Sequence, residues 1–90
     1  MCRSIKPLFN FEPPATDDEV RAAALQFVRK VSGSRKPSQV NTAVFDEAVT
    51  DIEKIVRHLL DNMVTQAPPK NRDEEAAKAK ARAAKRFSTT

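Results

Sequence analysis

Three sets of side chains in this 90-residue chain are of types that do chemistry: Cys2, His58, and the group Lys78, Arg82, Lys85 and Arg86. Cys2 follows the initiator methionine, and its small side chain favours removal of that methionine, which leaves a free α-amine beside a thiol. Such a terminus chelates a metal or acts as an N-terminal nucleophile with the amine as base. Arg3 beside it favours the thiolate. The chemistry implied is that of a small thiol-dependent enzyme or a metal binder. Against it, no Ser, His and Asp constellation completes a site, and so short a chain has no room for a deep pocket. An ordinary terminal thiol is the simpler reading, and neither a catalytic residue nor enzyme activity is expected.

His58 has Lys54 one turn before it and Asp61 and Asn62 after it. A His with a carboxylate three residues on can form part of a metal site, but such a site needs three or four ligands. The chain offers one His and one Cys, and Lys54 would repel a cation. A surface histidine is expected, with no metal and no cofactor.

Lys78, Arg82, Lys85 and Arg86 recur at helical spacing, with Lys80, Arg35 and Lys36 as further basic residues. Cations at i, i+4, i+7 and i+8 can neutralise successive phosphates, and such binding weakens steeply with salt. An RNA- or ribosome-associated accessory protein is therefore the alternative function, with nucleic acid as its partner. No Tyr or Trp supplies a stacking platform, and only Phe87 lies near the stripe. A solvated helix held by Glu74 to Lys78 pairing is the competing explanation. SQVNTAVFDEAV, after a tight turn, has the look of a DNA-reading helix, yet the pattern runs on beyond the length that a compact reading unit needs.

These residues need elements to position them, and the longest helical pattern covers residues 41–65. Phe45, Ala48, Val49, Ile52, Ile55, Val56, Leu59, Leu60 and Met63 share one stripe at spacings of three and four. Glu47, Thr50, Asp51, Lys54, Arg57, His58 and Asp61 take the opposite, solvated face. A preceding helix over 16–32 is marked by Thr16 and Glu19 as a capping box, Asp17 and Asp18 at the positive end of the dipole, and Gly33 as terminator. Val20, Ala23, Ala24, Phe27, Val28 and Val31 form its apolar face; Leu25 lies off the stripe and should find a second contact. Pro37 and Ser38 turn the chain into the long helix, expected over 39–65 with Ser38 or Asn41 as N-cap. A third helix over 71–87 opens at Asn71 and Glu74 and is rich in Ala, Glu, Lys and Arg.

The single Gly, the six Pro and the absence of Trp and Tyr point to an all-α fold: an antiparallel helical hairpin with an extended N-terminal arm and a basic C-terminal helix. The divisions are an arm over 1–15, a hairpin core over 16–66, and a proline turn with the basic helix over 67–90. Pro7, Pro13 and Pro14 keep the arm extended, while Ile5, Leu8, Phe9 and Phe11 give it reason to drape over the helices. The net charge of +4 resides in the tail: residues 1–69 hold nine basic against nine acidic side chains, and residues 70–90 seven against three. One cysteine excludes an internal disulfide framework, and no run suits a signal peptide or a membrane span. A cytoplasmic protein without a membrane partner is expected.

The opening MCRSIKPLFNFEPPAT, the AALQFVRKVSG of the first helix, the KPS turn and the tail PPKNRDEEAAKAKARAAKRF together resemble a family of small bacterial proteins, domain of unknown function 2277. The resemblance runs from residue 1 to about residue 87. It implies a bacterial, cytoplasmic, free-standing small protein, and it brings no activity, cofactor or catalytic residue to any position.

At about 1.5 Å per residue the long helix outruns the first by roughly 11 Å, so part of its stripe lacks cover within the hairpin. The expected function is a non-enzymatic protein-interaction module, self-associating or docking on a protein partner through Phe45, Ile52, Ile55, Leu59 and Met63. The arm, the tail helix or a second copy are the candidates to cover that length.

Overall fold

The computed structural model describes residues 5–88, with side chains through residue 85. The first helix, α1 (Asp17–Ser32), starts as its cap residues dictate. Thr16 is extended; its hydroxyl oxygen accepts from the Glu19 N–H at 3.2 Å, and the Glu19 carboxylate accepts from the Thr16 N–H at 2.9 Å. Two of the N–H groups that a helix start leaves without partners are satisfied reciprocally. At the other end Gly33 has φ 69°, the left-handed conformation that costs a residue with a Cβ.

A 3-10 turn (Gln39–Asn41) leads into α2 (Thr42–Asn62). Neither candidate cap residue caps α2 with its side chain. Instead the Ser38 carbonyl accepts from the Asn41 N–H at 2.9 Å and the Thr42 hydroxyl at 3.1 Å. The helix stops at Asn62, earlier than the expected residue 65. Asn62 Nδ2 donates to the His58 carbonyl at 2.7 Å, and Met63 turns to extended backbone with ψ 142°. A short amide side chain competing for its own helix's carbonyls is a stop signal in its own right.

Five apolar side chains form the buried set among the described residues: Val20, Ala24 and Val28 from α1, Phe45 and Val49 from α2. Leu25, Ala48 and Ile52 pack against them, so Leu25 joins the α1–α2 core itself. Arg21 meets Glu53 at 2.9 Å and Asp17 meets Arg57 at 2.8 Å. Position numbers rise along α1 as they fall along α2. Ion pairs at the surface add little stability, and these two, each with one half-buried partner, set the register of the helices.

The fold is mostly helical rather than all-α, because a parallel strand pair joins its two ends. β1 (Phe11–Glu12) pairs with β2 (Lys70–Asn71), Phe11 opposite Lys70 and Glu12 opposite Asn71. Prolines 13, 14, 68 and 69 explain why: they hold the flanking backbone extended on both sides. Asn10 takes φ 64°, a conformation Asn tolerates better than most residues. Its carbonyl accepts from the Lys70 N–H at 2.7 Å, and its Nδ2 donates to the carbonyls of Ala67 and Pro68 at 3.3 and 3.1 Å.

The last helix, α3 (Arg72–Ser88), is capped by Asn71, whose Oδ1 accepts from the Glu74 N–H at 3.0 Å. It does not pack along α1 or α2. The molecule measures 43 × 40 × 17 Å, and with helices about 10–12 Å across it is a single layer.

Candidate functional site

α2 has 21 residues and α1 has 16, so α2 is longer by about 7–8 Å. The Asp17 to Arg57 pair places the start of α1 beside Arg57, and the last turn of α2 runs past it. The arm covers one flank of that turn. Leu8, Phe9, Pro14 and Ala15 gather around Arg57 and Leu60, leaving a cleft of about 200 Å³. Arg57 Nη2 fastens the arm by donating to the Ala15 carbonyl at 3.2 Å and to Asp17 at 2.8 Å.

The other flank keeps an exposed apolar row. Ile55 is 68% exposed, Leu59 52% and Met63 45%, and on α1 Phe27 is 49% exposed. Ile55 and Leu59 stand one helical turn apart, with Met63 a further turn on, just past the end of α2; together they form a ridge of the i, i+4 type. Next to the ridge runs an apolar trough of about 380 Å³, walled by Ala23 and Phe27 from α1, Ile52, Val56 and Leu60 from α2, and Ile5, Lys6 and Leu8 from the arm. Of the five residues expected to face a partner, Ile55, Leu59 and Met63 are at the surface and Ile52 is half-buried at the trough wall. Phe45 is in the core, because its place on the stripe lies opposite Val28 and Ala24 where α1 does cover α2.

Sequence reasoning missed a second constellation, centred on Arg72. Its Nη1 and Nη2 donate to the two carboxylate oxygens of Glu19 at 2.9 and 2.8 Å. Its Nε donates to the Pro13 carbonyl at 2.9 Å and Nη2 also to the Pro14 carbonyl at 3.1 Å. The guanidinium carbon lies 5.7 Å and the Lys70 amine 5.5 Å from the centre of the Phe11 ring, within cation–π range. The Arg72 hydrogen bonds foremost, and then the Thr16 N–H, lower the Glu19 carboxyl from 4.5 to about 2. The available signal was the pair of Pro-Pro steps, two extended segments with carbonyls to offer and an arginine following the second. The arrangement holds a polypeptide together and presents no open donor set for a substrate.

The remaining candidates stay apart. Cys2 lies outside the described residues, as does the side chain of Arg86. His58 Nδ1 is 3.3 Å from Asn62 Nδ2, and among the described residues no three His, Cys, Asp or Glu side chains are grouped to hold a metal. Lys78 reaches Glu75 at 3.6 Å, in place of the expected Glu74. Lys78, Arg82 and Lys85 are exposed along a helix that stands off the body. No helix among the described residues is long and apolar enough to cross a membrane.

No curated protein and no solved structure matches the chain. One family model does, described as an uncharacterized conserved protein, and it spans residues 1–78, which take in the arm, α1, α2, the Arg72 constellation and the first turns of α3. With most of its length matched, from the arm through the ridge to Lys78, the chain belongs to the DUF2277 family.

Proposed function

We propose that this protein is a non-enzymatic helical interaction module whose docking face is the exposed apolar flank of α2. The observation that carries this is the run of Ile55, Leu59 and Met63, each about half exposed or more, beside an apolar trough. Single exposed apolar residues are ordinary, but a contiguous patch marks an interaction site. The thin core adds a motive: a small chain whose described residues bury five apolar side chains gains stability from any partner that binds only the folded form.

A photo-crosslinking residue placed at Leu59, in cells that express the protein, tests the reading. A protein adduct from position 59, absent when the same residue is placed at Lys54 on the far face of α2, is the expected result. No adduct from position 59 overturns it.

A further inference from the structure

The docking face reads as an interface, and its own shape indicates what occupies it. The chain exposes 7465 Å², whereas a compact monomer of 10.0 kDa exposes about 5,200 Å². The surplus is roughly 2,200 Å², to which α3 standing off the body contributes, against the about 800 Å² that each partner of a standard interface buries. The radius of gyration, 15.9 Å, likewise exceeds the about 12 Å of a compact chain of this length. Domains are built from at least two packed layers, and this chain is one layer, 17 Å thick. A second layer is what it lacks.

We propose that the second layer is another copy of the same chain, docked about a two-fold axis so that the ridge of each α2 enters the trough of the other. This rests on the docking-face reading above. A two-fold interface requires one surface to carry both a shape and its complement. The ridge Ile55, Leu59 and Met63 and the trough beside it, walled by Ile52, Val56, Phe27 and the arm residues Ile5, Lys6 and Leu8, meet that requirement on one face. The trough is roomy because Ala23 and Ala24 leave its floor low. Ridges one turn apart entering the grooves between such rows is the commonest helix packing. Charge agrees: residues 1–69 balance nine basic against nine acidic side chains, so two bodies meet without net repulsion while the basic tail stands off.

The test uses the full chain in sedimentation equilibrium with two variants, Leu59→Glu on the ridge and Phe27→Lys on the trough wall. Both positions are about half exposed, so helical circular dichroism should be retained, and a variant that loses it is replaced by Leu59→Gln or Phe27→Gln. Wild type is expected at twice the chain mass and each variant alone at the monomer mass. Mixed in equal amounts, the variants should recover dimer. One of the two ridge-in-trough contacts is then wild type, and the other sets the introduced carboxylate of one variant against the introduced ammonium of the other. A mixture that stays monomeric, variants that remain dimers, or a monomeric wild type each overturns the proposal. A monomeric wild type together with a position-59 adduct to a different protein rejects the second copy and leaves the docking face standing. Without any adduct, both fail.

Discussion

The guanidinium of Arg72 and the carboxylate of Glu19, 53 positions apart in sequence, meet through two hydrogen bonds of 2.9 and 2.8 Å. Glu19 is also the third helical residue of α1 and accepts from the Thr16 N–H, so one carboxylate serves the start of α1 and the start of α3 together. Arg72 in turn bonds the Pro13 and Pro14 carbonyls. The arm, the first helix and the last helix thereby share a single polar knot, and the arm is held where it covers one flank of α2 while leaving the ridge bare.

The knot makes stability depend on pH in a defined window. The folded-state Glu19 pKa, about 2, lies below its ordinary value of 4.5, so its contribution is fully present above pH about 4.5 and is lost as pH falls through about 2. Thermal melts should show no loss from this group between pH 7 and 5 and a progressive fall below 4.5. In Glu19→Gln that acid-dependent part should vanish.

Arg72→Lys keeps the charge but not the planar fork that reaches two carboxylate oxygens and two carbonyls at once. Amide exchange around Asn10 to Glu12 and Lys70 to Glu74 should quicken in this variant, while amides near Val20 and Val49 keep their protection. Uniform loss of protection throughout α1 and α2 would mean that the knot supports the whole fold.

Phe45 and Leu59 share the α2 stripe but should respond differently to truncation. Phe45→Ala opens a hole in the core and should cost about 3–5 kcal/mol, measured by urea unfolding at any protein concentration. Leu59 is 52% exposed, so Leu59→Ala should change the dilute chain by no more than about 0.5 kcal/mol and lower the melting temperature only at concentrations where wild type is associated.

Much of this was legible in residue types and spacing. The Thr16 capping box, Gly33 and the apolar faces of both helices are local patterns, and local patterns dictated local structure. The strand pair and the Arg72 knot were not legible, because they join segments nearly sixty residues apart and depend on where α1 and α2 deliver the chain. Phe45 shows the same limit within one helix. Periodicity places it on the stripe with Leu59, but only the register against α1, set by Asp17 with Arg57 and Arg21 with Glu53, determines which end of the stripe is covered. The stop at Asn62 depended on a side chain folding back on its own helix, a competition that periodicity does not register.

Thermal melting of the wild-type chain over a thousandfold range of concentration tests the self-docking face most directly. A two-fold dimer that completes its second layer on association must have a melting temperature that rises with concentration, and Leu59→Glu must abolish that rise. A melting temperature independent of concentration in wild type would contradict it.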